Sequence, residues 1–159
     1  MSEECVIYQR LVSTTDDFTL FPSVIVFALC PSGYSGLGRR CIKVVTEKMD
    51  WDSARAHCRD DNADLITLES QAKMNEFRDF MATNGHESDN GYYWCAASKV
   101  SDGWQWINGK TFSNSALWCD GEPNFPNDEE CASTRDPAFN CYYDDSCNEN
   151  LKFVCEVQF

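Results

Sequence analysis

Three sets of side chains in this sequence have the chemistry to act on something. The first is the acids. Asp and Glu number 26 against 13 Lys and Arg, a formal net charge of −13 over 159 residues. Spare carboxylates are what a calcium site is made from, because calcium takes about six to eight oxygen ligands. Asp60-Asp61 and Asp144-Asp145 have the form of paired catalytic carboxylates. Adjacent Asp residues on a loop more often face solvent or a metal. The second set is ten cysteines. None stands in a Cys-x-x-Cys pair, which argues against a zinc ribbon or a thioredoxin-like motif. An even, dispersed set in a small acidic chain reads as a disulfide framework formed in an oxidising compartment. The third set is two histidines, His57 and His86, neither beside a nucleophile motif. Catalysis therefore has little support. The acidic balance also disfavours nucleic acid, which needs a basic face, and anionic lipid.

Positioning these groups requires a core, and 43% hydrophobic residues suffice for one. Residues 1–29 are read as an N-terminal tail or signal segment. The polar start, with Glu3 and Glu4, fits a signal poorly. The apolar run Leu20–Leu29 is long enough for a signal core but too short to span a bilayer, and a cut after Ala28 is one outcome. A tail packed on the domain is the other. Residues 30–159 read as one α+β domain. Cys30 to Cys41 has the turn residues of a small hairpin, and Cys41–Val45 is a short strand. Asp50 offers an N-cap to a helix through Arg59, with Trp51, Ala54 and Cys58 on one face. A second helix spans about Ser70–Thr83, with Met74, Phe77 and Met81 on one face and Gly85 past its end. Tyr92–Trp94 and Trp104–Ile107 are strand-like, with Asn108-Gly109 as a turn, and Lys152–Val157 is the last strand. Residues 113–130 form a long irregular loop, and such loops in small domains usually carry function.

Several ordered motifs resemble the C-type lectin-like domain family. They are Trp51-x-x-Ala54-x-x-x-Cys58, Trp94-Cys95-Ala96-Ala97, Trp104-x-Trp106-x-x-Gly109, Trp118-x-x-Gly121-Glu122-Pro123-Asn124 leading to Cys131, and Cys147 before Phe153-Val154-Cys155-Glu156. The resemblance implies two helices, two small antiparallel sheets and a long ligand loop. It implies the pairings Cys58–Cys155, Cys131–Cys147 and Cys30–Cys41. The type II antifreeze branch adds Cys119–Cys141. Cys5 and Cys95 are left over: they pair with each other, or Cys95 is a lone buried thiol.

In sugar-binding members of the family, Glu and Asn of Glu-Pro-Asn ligate one calcium and hydrogen-bond the sugar. Carried over, the expected metal ligands are Glu122, Asn124, Glu129 and Asp144, holding one Ca2+. The expected sugar contacts are these four with Tyr143 and Phe125, the latter by stacking. Glu122 can only accept, while Asn124 accepts and donates, which suits the neighbouring hydroxyls of mannose-type sugars. The family has Trp-Asn-Asp where this chain has Tyr142-Tyr143-Asp144. A phenol is a poor calcium ligand and lacks the amide N–H. A one-residue slip would instead offer Asp144 and Asp145. Trp94, Trp104, Trp106 and Trp118 are expected in the core rather than as a sugar platform.

The expected function is a secreted, calcium-dependent lectin for mannose-type glycans, with innate recognition of microbes as its setting. It is not expected to be an enzyme, to bind nucleic acid or to insert in a membrane. Any oligomer must form through the domain or Cys5. The alternatives are a lectin-like domain for a protein or surface ligand, and an ice- or mineral-binding member.

Overall fold

The computed structural model describes residues 30–86, 91–101, 103–112, 117–124, 128–135 and 138–157. The expectations for residues 1–29 and for Cys5 lie outside these.

Chain order is β1 (Ser35–Leu37), β2 (Arg40–Met49), α1 (Trp51–Asp60), β3 (Asp64–Leu65), α2 (Gln71–Thr83), β4 (Tyr92–Val100), β5 (Gly103–Trp106), β6 (Cys131–Arg135), β7 (Tyr142–Asp145) and β8 (Leu151–Val157). The strands run β1-β2-β8-β4-β6-β7, with β3 added on β8 and β5 on β4. The two antiparallel sheets expected from the resemblance are thus halves of one eight-stranded sheet. They join where β4 and β8 run parallel, Tyr93 beside Lys152 and Trp94 beside Phe153.

Both helices begin where a polar side chain replaces missing backbone partners. Asp50 accepts from the Ser53 N–H at 2.9 Å and from its hydroxyl at 2.7 Å. Ser70 accepts from the Lys73 N–H at 3.3 Å. Each orphan donor of a helix's first turn needs such an acceptor or water. Asp50→Ala is expected to cost about 1 kcal/mol. For a domain of this size that lowers the melting temperature by about 2–4 °C, read by circular dichroism.

Helix α1 buries Trp51, Ala54 and Cys58, and α2 buries Met74, Phe77 and Met81. The Phe77 ring meets Phe139 edge-on at 5.2 Å, and Phe139 meets Tyr93 at 5.6 Å. Buried indoles are tied down by their N–H groups. Trp51 donates to the Cys95 carbonyl and Trp94 to the Met49 carbonyl, both at 2.9 Å. Trp94 and Trp106 are buried. Trp104 and Trp118 are half-buried and pack edge to face at 4.8 Å, so the tryptophans are packing residues as expected.

Four disulfides, Cys30–Cys41, Cys58–Cys155, Cys119–Cys141 and Cys131–Cys147, match the expected pairings. Cys95 is free and fully buried on β4, and burial pushes its thiol pKa far up. Of the two fates expected for it, the structure has the buried thiol. Among the described residues no helix is long and apolar enough to cross a membrane.

Candidate functional site

The segment carrying Glu122, Pro123 and Asn124 is fixed at its root. Cys119 is bonded to Cys141, next to β7, and its N–H donates to the Tyr142 carbonyl at 2.9 Å. Beneath lies an aromatic floor. Trp106 stacks on Phe112 at 5.0 Å, and Phe112 packs on Trp118 at 5.0 Å and on Tyr142 at 5.2 Å. The Tyr142 hydroxyl donates to the Leu68 carbonyl and anchors this layer. Above it the chain turns back, closed by the Glu122 N–H donating to the Cys119 carbonyl at 2.9 Å. Gly121 sits third in that turn at φ 90°, a conformation glycine adopts without steric cost. The Glu122–Pro123 bond is cis.

The next residue links the loop to the sheet. The Asn124 N–H is shared between both carboxylate oxygens of Asp144, at 3.0 and 3.1 Å. Asp144 is only 3% exposed, so this backbone donor offsets part of the cost of burying a charge. Strand β7 places Asp144 opposite Ala132 and Asp145 opposite Cys131, with Glu129 just before β6 begins. The Ser133 hydroxyl donates to Asp145.

The electrostatics are those of acids packed close to one another. Oε2 of Glu122 is buried and accepts no hydrogen bond. Burial, then the Asp144 carboxyl beside it, then the charges of Glu129 and Asp145, push the Glu122 pKa up to about 7. Glu129 is raised by burial and by Asp144, Asp145 and Asp128. Asp145 is raised by burial, against the opposing Ser133 hydrogen bond.

Glu122, Glu129 and Asp144 therefore share one electrostatic neighbourhood, with Asn124 fixed to Asp144 by its backbone. Asp145 belongs to it as well. Tyr143 does not point its ring the way Asp144 points its carboxyl. Strand alternation sends the two to opposite faces. The Tyr143 ring meets Tyr92 edge-on at 5.4 Å, and Arg135 lies 5.1 Å from the centre of the Tyr92 ring. Phe125 lies outside the described residues. Two members of the site were not foreseen, Ser133 and Tyr92. Neither has a signal in the sequence, since a serine and a tyrosine in strands are ordinary.

An oxygen-only, acidic donor set with one orphaned buried carboxylate oxygen is chemically suited to a hard divalent cation. Among the described residues, no three acid, His or Cys side chains are gathered closely enough to hold a metal as they stand.

Residues 47–157 match the Lectin C-type domain family. Lithostathine-2 of Mus musculus is 27% identical over 131 residues, covering 81% of this chain and 75% of the relative. C-type lectin domain family 4 member M of Hylobates lar is 28% identical over 131 residues, covering 80% of this chain but only 31% of that protein. Among solved structures, a calcium-independent type II antifreeze protein superposes with a TM-score of 0.67 at 24% identity, covering 81% of this chain and 94% of that one. With the family matched across most of the described residues, and the fold and disulfides in agreement, this chain belongs to the C-type lectin domain family.

Proposed function

We propose that this domain binds mannose-type sugars through one calcium ion held by Glu122, Asn124, Glu129 and Asp144. It is a binding domain, not an enzyme. The observation that carries the reading is the Oε2 of Glu122, buried against the Asp144 carboxyl with no N–H or hydroxyl donor to satisfy it. A buried acceptor left unsatisfied costs about 1–3 kcal/mol, and a bound cation removes that cost. A calcium ion would supply open coordination places for two neighbouring sugar hydroxyls. The protein's part is orientation. Glu122 accepts from one hydroxyl, and the Asn124 amide both accepts and donates. Asp144 holds the Asn124 backbone so that its side chain is presented from a fixed position. Glu129 adds charge from the start of β6.

Four disulfides fit an oxidising compartment, and secretion is proposed on that ground. A site this small makes few contacts, so single-site affinity is weak, and useful avidity requires several copies.

A second reading, a protein or surface ligand with little sugar binding, is favoured by Tyr143. Its ring is engaged with Tyr92, and it brings no amide N–H to a sugar.

The test is retention of the oxidised protein on immobilised mannose in calcium. Elution by EDTA and, separately, by free mannose supports the sugar reading. No retention together with a calcium-induced rise in melting temperature overturns it in favour of the second. No retention and no calcium effect overturns both the sugar and the calcium reading.

A further inference from the structure

One face of strands β4, β6 and β7 carries two tyrosines and an arginine that the proposed calcium and sugar contacts leave out. The register pairs Tyr92 with Arg135 and Ser133 with Tyr143. Residues opposite each other in an antiparallel pair point to the same face, and so do residues two apart in a strand. Tyr92, Arg135, Ser133 and Tyr143 therefore share one face. Strand β6 lies between β4 and β7, so about 10 Å separates the backbones that carry the two rings. The rings still meet edge-on at 5.4 Å, because Ser133, the β6 side chain between them, is short; it is wholly buried. Tyr92 and Tyr143 are half-buried, so part of each ring stays open to solvent. Arg135 is exposed, and its guanidinium carbon stands 5.1 Å from the centre of the Tyr92 ring. Arg40, Arg55, Arg59 and Arg78 each pair with a carboxylate. Among the described residues Arg135 pairs with none, although the chain carries a net charge of −13.

We infer that Arg135, with Tyr92 and Tyr143, forms an accessory subsite for an anionic sugar unit, one bearing a sulfate or a carboxylate, beside the Glu122 turn. This rests on the proposed sugar reading. A guanidinium is a planar fork of N–H donors that matches the oxygens of either anion two at a time. A tyrosine ring offers a flat apolar surface to the C–H face of a sugar, and a hydroxyl at its rim. The subsite lies near the turn. Tyr143 precedes Asp144, which accepts the Asn124 N–H. Arg135 stands three residues along β6 from Ala132, the partner of Asp144, a distance of about 10 Å. That separation suits the second unit of a short glycan whose first unit sits at the turn. Asp145, the acid on this face, is bonded to Ser133 and lies at the opposite end of β6 from Arg135. The chain's other acids repel polyanions in general, and that repulsion is screened beyond about 8 Å at physiological salt. Selection then falls on a glycan that brings its anion to Arg135 itself. Tyr143 gives up an amide N–H for a neutral sugar and supplies ring surface for a charged one.

The experiment is binding of the oxidised full chain, in calcium, to an array of short glycans. Each neutral oligosaccharide ending in mannose or N-acetylglucosamine stands beside its sulfated and its uronic-acid counterpart. The proteins are the wild type, Arg135→Ala and Arg135→Lys, with melting temperatures measured alongside. Arg135 is exposed and ends its strand, so both variants keep the fold, and Arg135→Lys keeps the charge while losing the fork. Expected is a wild type that binds one anionic form about fivefold or more better than the neutral one, the scale of a charge-assisted contact at an exposed site. That ratio should fall to near one in Arg135→Ala and be partly kept in Arg135→Lys, with neutral binding little changed in both. The sulfate and carboxylate arms identify which anion the subsite takes. Neutral glycans bound by the wild type with no preference for either anion overturn the inference and leave the sugar reading standing. A preference that survives intact in Arg135→Ala also overturns it. A wild-type protein that binds no glycan, neutral or anionic, overturns the sugar reading itself, and the inference with it.

Discussion

Glu122→Gln is expected to shift stability in opposite directions with and without calcium. At neutral pH the wild-type fold holds a carboxyl whose pKa has been pushed up to about 7 by burial and by Asp144, Glu129 and Asp145. A carboxyl bound more tightly to its proton in the folded state than in the unfolded one opposes folding once it is charged. The penalty is full above about pH 7 and gone below the ordinary carboxyl value. Glutamine has nearly the same shape and no charge. In EDTA at neutral pH the variant should therefore melt higher than wild type. The gain is on the order of 1 kcal/mol, the scale of one unsatisfied buried polar group. That corresponds to a rise of about 2–4 °C.

With calcium the order reverses. On the proposed calcium reading, wild type should gain about 2.7 kcal/mol when calcium stands at a hundred times its dissociation constant. The variant has lost an anionic ligand and should gain little of this, and its retention on mannose should vanish. The measurement is a pair of melts per protein, in EDTA and in calcium, with the mannose column as a third readout. A variant that melts lower than wild type in EDTA would mean that Glu122 makes a stabilising contact as a charged group. The carboxylates would then be a solvated acidic loop rather than a site under strain from its own charge.

The same residues explain what the sequence alone made legible. The helices were readable because their signals are local. Asp50 and Ser70 are N-cap types, and the triplets Trp51, Ala54, Cys58 and Met74, Phe77, Met81 fall on single faces; all six are buried. Strand β4 was only partly readable. Its middle, Tyr93 to Ala97, is buried on both faces, so no alternation marks it. Strand β3 has two residues, too few for any period, and takes its conformation from pairing with β8. The parallel contact of β4 with β8 joins residues almost 60 apart in sequence, and no local pattern encodes it. Spacing alone leaves about 105 ways to pair eight cysteines. The motifs carried the pairing, and the structure agrees. At the site, the residue types pointed to the proposed cation. What they could not announce was direction. Tyr143 turns to Tyr92 and Asp145 to Ser133 because of neighbours on β4 and β6, contacts fixed only when the register of three strands is set.

The largest stability effect should come from removing Cys58–Cys155 as the double variant Cys58→Ala/Cys155→Ala. This bridge spans 97 residues and ties α1 to β8, the strand that joins the two halves of the sheet. In the chain-entropy account, a crosslink stabilises by denying the unfolded chain its freedom, more so for a longer loop. A loop near this length is worth about 4–5 kcal/mol. Typical domains have only about 5–15 kcal/mol in all. A fall in melting temperature on the order of 10–20 °C follows. Both cysteines are also wholly buried, so truncating them opens space in the core. The comparison that tests the reasoning is Cys30→Ala/Cys41→Ala, whose bridge spans only 11 residues at the edge hairpin. The logarithmic dependence on loop length makes its loss about 2 kcal/mol milder. Removing Cys119–Cys141, which spans 22 residues, should fall near the milder end in stability. Yet it should weaken calcium uptake most of the three, because that bridge holds the root of the Glu122 turn against β7. Equal melting losses for the long and short bridges would refute the unfolded-chain account and place the stabilisation in native packing instead. An unchanged calcium affinity in the Cys119→Ala/Cys141→Ala protein would show that the hydrogen bond from the Cys119 N–H to Tyr142, and the Asn124 contact to Asp144, suffice to hold the turn.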